Sequence, residues 1–167
     1  MVILALMTET PRTLPPVAGP ALPLASHAAI LPELTEWAHQ HAPDGPLKPA
    51  QLAAIFAHSQ HLQTLARAHP DLIAAVPGGG GAAEISAAIE ACERDATTFA
   101  NEQQMMTALR RLRQRSALCV ALADMAGCDD VETQMRWLSD VADAAVRSAV
   151  TWLFREAARR GQIVDAN

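Results

Sequence analysis

Apolar residues recur at three- and four-residue steps from Met105 nearly to the end of the chain, with one interruption, at Gly127. Met105, Leu109, Leu112, Ser116, Cys119, Val120 and Ala123 fall on one face of a first helix. Val131, Met135, Leu138, Ala142, Ala145, Ala149 and Trp152 fall on one face of a second, at close to seven-residue spacing, with Val141 and Leu153 widening the stripe. Gly127 suits the left-handed position that stops a helix, and Asp129 or Asp130 can cap the next one, with Glu132 in its first turn. Arg159 and Arg160 complement the far end of that helix dipole and Gly161 stops it. Two long helices joined by so short a turn must run antiparallel, and no segment shows the period-two alternation of a strand.

The rest of the chain reads as helices too. Pro11, Pro15, Pro16, Pro20 and Pro23 block regular hydrogen bonding near the N-terminus. Residues 1–27 are therefore expected to form a proline-rich mobile arm, and residues 28–167 a helical domain. Val2 to Leu6 is too short for a signal segment, and Met7 is a second possible start. Leu34, Trp37, Ala38 and His41 mark a helix entered through Pro32 and Glu33. Pro49 opens another with Leu52, Ile55 and Phe56 inward. Ser59 caps a third that buries Leu62, Leu65 and Ala66. After a short apolar turn at Leu72, Ile73 and Val76, the stretch from Pro77 to Gly81 is expected to break the chain. A fourth long helix is expected over about 82–101, with Ile85, Ile89, Cys92, Ala96 and Phe99 aligned. The fold class is all-α: a bundle ending in a long antiparallel hairpin.

Composition limits function. Half of the 167 residues are hydrophobic but only 4% are aromatic, so alanine and leucine must supply the packing. A net charge of −5 argues against nucleic acid as partner. No apolar run approaches the roughly 20 residues of a membrane span. Cys92, Cys119 and Cys128 lack CxxC spacing and read as reduced thiols of a cytoplasmic protein.

Few residues invite chemistry. Gly78 to Gly81 lack the preceding strand and following Lys-Ser/Thr of a phosphate loop. His58, His61 and His69 would need further convergent ligands to hold a metal. Asp129 and Asp130 are explained by capping, no serine sits in a G-x-S-x-G elbow, and no cysteine has a histidine partner evident in the sequence. Neither catalytic nor metal-binding residues are assigned. The strongest candidates are Arg110, Arg111, Arg113 and Arg115, whose guanidinium groups suit an anion or an acidic partner. The alternative is a solvated face exchanging salt bridges with Asp140 or Asp143 across the hairpin.

The run Leu109 to Arg115, the stop Asp124 to Gly127, and Leu138-Ser139-Asp140-Val141-Ala142-Asp143-Ala144 together resemble a family pattern. Its elements are L-R-R-x-R-x-R, D-x-x-G and an L-S-x-x-A-D-A-like run, from the N-terminal helical part of the bifunctional glutamine synthetase adenylyltransferase/adenylyl-removing enzymes. Ser59-Gln60-His61-Leu62 and Ala68-His69-Pro70-Asp71-Leu72 resemble that family's S-x-x-L and P-E-L segments, so the likeness covers about residues 50–160. The resemblance implies an enzyme that uses ATP and Mg²⁺ to transfer AMP to a tyrosine of glutamine synthetase, removes it again, and answers to the PII protein. It implies a scaffold role for this segment against a downstream nucleotidyltransferase domain. The family's G-[GS]-x-x-[LM]-x-x-x-S-D-x-D-L motif does not occur in residues 1–167, so no catalytic residue carries over and the chain alone is expected to be inactive. The competing reading is a free-standing interaction or dimerisation module that offers an apolar face including Trp137 and Trp152.

Overall fold

The computed structural model describes residues 29–163, and these form helices and turns with no strand. The expected arm over residues 1–27 lies outside the described residues. Helix α1 spans Leu31–His41, α2 Pro49–His58, α3 Gln60–Ala68 and α4 Leu72–Ala75. Then come α5 (Gly81–Ala96), α6 (Glu102–Ala126) and α7 (Val131–Arg159). Local chemistry sets most of the ends. Ser59 Oγ accepts the Leu62 amide at 3.2 Å, Asn101 Oδ1 accepts that of Gln104 at 3.0 Å, and Asp130 Oδ1 that of Thr133 at 2.7 Å. Gly127 ends α6 at φ 63°, and Gly161 follows α7 at φ 69°.

Helices α5, α6 and α7 pack on one another as a three-helix layer; α3 and α4 also meet α6, and α1 and α2 pack on each other and reach the layer through α4 and α3. One core runs through both parts. Leu34, Leu52, Phe56, Leu65, Leu72, Leu118 and Leu122 are all essentially buried, each contributing about 1.5–3 kcal/mol.

The stretch from Pro77 to Gly81 breaks the regular helix as expected. Val76–Gly80 forms a π-helical turn that kinks at Gly79, whose φ of 90° is not helical, and α5 starts anew beyond it. Pro77 sits in the first turn, where its missing amide does least harm. The resulting run Leu72–Ala96 is 25 residues long with a mean hydropathy of 1.4 over its most apolar stretch. By length and composition it could cross a membrane, which corrects the expectation that no such run exists. Its buried face, Ile85, Ala88, Cys92 and Ala96, belongs to the core shared with α6 and α7.

The longest helix turns a partly different face inward from the one its spacing suggested. The buried positions of α7 are Gln134, Trp137, Val141, Ala144, Ser148 and Trp152. The expected stripe is split: Trp152 and the widening Val141 are buried and Ala145 and Ala149 part-covered, while Val131, Met135 and Leu138 are 70%, 58% and 43% exposed. Two tryptophans decide the rotation, because each has more apolar area to bury than any competitor on the helix. Trp137 seats on Gly81, where a Cβ would lie 2.6 Å from the indole Cη2. Trp152 donates its indole N–H to the Phe99 carbonyl at 3.2 Å. Arg155 donates to the Ala96 carbonyl at 3.1 Å, and Arg147 meets Glu93 at 2.8 Å. Turning α7 to bury Met135 and Leu138 would lift all four contacts.

Gly81→Ala should therefore destabilise the fold by about 1–3 kcal/mol through overpacking. Gly78→Ala, where a Cβ meets nothing within 4 Å, should change it far less. Urea unfolding followed by tryptophan fluorescence measures both.

Candidate functional site

The arginine run of α6 does not act as one cluster. Arg115 points inward, with a side chain 15% exposed, and its Nη2 lies 2.8 Å from both Asp71 Oδ2 and Glu84 Oε2. Asp71 directly precedes α4, and Glu84 stands in the first turn of α5. The two ion pairs thus tie the kinked α4–α5 run to the middle of α6. Burial works against the Arg115 charge, but the two carboxylates outweigh it and hold its pKa above the ordinary arginine value. Burial likewise opposes the Asp71 charge, and Arg115 overrides it and draws the carboxyl below its usual range. Arg115, one of the four candidates for an anion or acidic partner, is thus engaged by carboxylates within the chain.

Arg110, Arg111 and Arg113 are exposed, and among the described residues none of them takes part in an ion pair or side-chain hydrogen bond. The expected salt bridges from the run to Asp140 or Asp143 are absent from the described residues; Arg115 reaches back to α4 and α5 instead. Arg111 shares with Arg115 the wall of a cleft of about 440 Å³ between α5 and α6. Asp71 and Asp95 stand on the same wall, so the cleft is of mixed charge.

His69 ends α3 beside this network, 7% exposed, with a buried Nε2 that meets no hydrogen-bond partner in the protein. Burial first, and then the nearby Arg115 and Arg111, hold its pKa below the ordinary histidine value, against the opposing pull of Asp71. His58 and His61 are exposed, so the three histidines are not brought together at one site. Among the described residues no three His, Cys, Asp or Glu side chains converge as metal ligands. The thiols are not set up as nucleophiles: burial pushes Cys119 up to about 12 and raises Cys92 as well, and exposed Cys128 donates to the Pro77 carbonyl at 3.0 Å. The glycines of Gly78 to Gly81 serve the π turn and the Trp137 seat, in place of a phosphate loop.

What the structure leaves open is an apolar surface. Residues Val131, Met135, Leu138, Ala142, Ala145 and Ala149 run along α7 with none or only part of their surface covered. The stripe enters a groove of about 660 Å³ between the start of α6 and the end of α7, lined by Met105, Met106, Leu109, Leu153, Phe154 and Ile163 among others. The two tryptophans expected on an offered face are both buried and belong to the core. Sequence reasoning missed Met106, Phe154 and Ile163. The available signal was the width of the apolar sector on α7, which exceeds what one neighbouring helix covers.

Among the described residues no carboxylates converge as a metal centre. The donors that Mg²⁺ requires are clustered carboxylates, but Asp130 caps a helix while Asp71 and Glu84 hold Arg115. The residues present do not fit that group.

The family profile for glutamate-ammonia ligase adenylyltransferase matches residues 49–167. A bifunctional glutamine synthetase adenylyltransferase/adenylyl-removing enzyme of Xanthobacter autotrophicus is 34% identical over 153 residues, covering 89% of this chain and 15% of the relative. Enzymes of the same name from Rhizobium meliloti and Mesorhizobium japonicum are 37% and 35% identical, over 74% and 67% of this chain and 13% and 12% of their own. The chain thus spans about 15% or less of the length of the relatives it matches. No solved structure gives a significant match.

Two predictions follow from the Arg115 network. Arg115→Met should lower stability by roughly 1–3 kcal/mol, because it leaves the half-buried Glu84 uncompensated, while Arg113→Met should stay within about 0.5 kcal/mol; chemical denaturation separates them. The second concerns pH. A histidine whose folded pKa is depressed binds its proton more readily in the unfolded chain, so stability is complete above about pH 6.5 and falls as pH drops below it. The urea midpoint should decline between about pH 6.5 and 5, and His69→Gln should reduce that decline.

Proposed function

The chain belongs to the glutamate-ammonia ligase adenylyltransferase family, and from that we propose that it works as a helical scaffold segment of a glutamine synthetase adenylyltransferase/adenylyl-removing enzyme. The observation that carries the reading is the family match over residues 49–167 combined with a structure in which Asp130 caps a helix and Asp71 and Glu84 hold Arg115. In this reading the chemistry belongs to a nucleotidyltransferase domain elsewhere in the enzyme. That domain moves AMP between ATP and a tyrosine of glutamine synthetase, with Mg²⁺ neutralising the phosphates when bound. The scaffold holds the catalytic domain's shape and flanks the approach of glutamine synthetase. Control by the PII protein and a cytoplasmic location belong to the same proposal, and the free thiols of Cys92, Cys119 and Cys128 support the location.

Residues 1–167 hold no S-D-x-D sequence, and none of their carboxylates form a metal cradle among the described residues. The isolated chain should therefore transfer no AMP to glutamine synthetase. Millimolar Mg-ATP should leave its unfolding midpoint unchanged, whereas a nucleotide site filled at about 100 times its Kd would add roughly 2.7 kcal/mol. The positive test is a chimera in which this chain replaces the aligned segment of the Xanthobacter autotrophicus relative. It should keep AMP transfer and AMP removal, while the same relative carrying an unrelated helical bundle there should lose both. Nucleotide-dependent stabilisation of the isolated chain, or an inactive but soluble chimera, would sink the reading.

A further inference from the structure

We infer that the open stripe of α7, together with the groove it enters, is the seat of an amphipathic α-helix from the part of the enzyme lying outside this chain. The inference rests on the scaffold reading above and names the surface through which the scaffold acts.

Three observations point to a helix as occupant. First, Val131, Met135, Leu138, Ala142, Ala145 and Ala149 follow steps of four and three, which is the seam one helix presents to another crossing it at a shallow angle. The buried face of α7, from Gln134 to Trp152, repeats at similar steps, so this helix carries two seams side by side. Neighbours α5 and α6 fill one and leave the other bare. Second, the bare seam tapers. Its first half is bulky and its second half is alanine, so a partner backbone can approach closely at Ala142, Ala145 and Ala149 before its side chains enter the groove. Third, unpaired cations continue the α6 wall beyond the groove, whose own charged lining is Glu102, Glu156 and Arg160, with Glu156 held by Arg159 and Arg160. Arg113 follows Met106 and Leu109 at steps of seven and four and therefore lies on their face, and Arg110 precedes it by one turn. Neither has an ion-pair partner among the described residues. The occupant is thus a helix with an apolar stripe and carboxylates along one edge.

Length argues for its source. The relatives carry more than five-sixths of their chain outside the segment matched here, and Ile163, four residues beyond the end of α7, lines the groove itself. An uncovered apolar strip of this extent is unusual on a finished surface, and the rest of the polypeptide is tethered beside it at high effective concentration.

The test uses the chimera described above, with p-benzoylphenylalanine replacing Leu138 in one preparation and the exposed Ser86 of α5 in another. Irradiation followed by peptide mapping should join position 138 to a helical segment of the same polypeptide outside this chain, at least tenfold above the Ser86 control. Cross-links from position 138 to residues 131–153 of a second copy would overturn the inference, as would yields no greater than the control. Activity of the same chimera reports separately: an active chimera with no Leu138 cross-link sinks the docking surface and spares the scaffold role, and an inactive one with the cross-link does the reverse. Sedimentation of the 167-residue chain alone covers the case in which the chimera fails to fold. A monomer whose unfolding midpoint is unchanged by Leu138→Glu supports an externally filled seat, and a dimer dispersed by Leu138→Glu refutes it.

Discussion

The seat of Trp137 on Gly81 fixes the rotation of α7, and what this molecule presents outward follows from that rotation. A glycine at the first position of α5 lets an indole approach to a distance that any side chain would forbid. Nearly four turns further along, Trp152 is held by the Phe99 carbonyl, and Arg155 takes the free carbonyl of Ala96 at the end of α5. The helix is thus pinned at both ends against the same neighbour. With Trp137, Val141, Ala144, Ser148 and Trp152 turned inward, the adjacent seam of Met135, Leu138 and Ala142 has to face out. Core packing and exposed surface are two consequences of one contact pattern.

A second constraint divides the arginine run. Arg115 sits where α4, α5 and α6 meet, and without a compensating charge its burial would be unfavourable. Asp71 and Glu84 supply that charge from the two ends of the kinked segment, so the ion pairs help to hold the π turn against α6. His69 lies within reach of the same field, and burial and two arginines oppose its protonation. Arg110 and Arg113, earlier on α6 and outside this knot, have no ion-pair partner among the described residues. The same short sequence therefore contributes both an internal fastening and an outward-facing cationic edge.

Much of this was legible beforehand where the governing chemistry is local. Gly127, Asp130 and Gly161 marked helix ends because a left-handed residue or a side-chain acceptor acts within a few residues of itself. The glycines after Pro77 were readable as a break for the same reason, since the positive φ of Gly79 is a property of that residue alone. Arg115 was unreadable in its role because its partner Glu84 lies 31 residues away, across a kink that brings them together. On α7 the spacing rule identified a true seam and assigned much of it to the wrong environment. Periodicity reports that a stripe exists; it does not report which of two stripes finds a neighbour inside the chain. Gln134 and Ser148 on the inward face disguised that face further.

That last error carries information about function. A stripe regular enough to be taken for core, yet left uncovered, has the composition of an interface between helices and not of a solvated surface. Its alanines would add little as isolated exposed residues, whereas on a seam they set how near a partner backbone can come. In this chain Asp130 is already committed to a cap, and Asp71, Glu84 and Arg115 to internal ion pairs. What it has left to offer is shape, an apolar track edged by arginine, which is the contribution expected of a scaffold whose reactive groups lie in another part of the same enzyme.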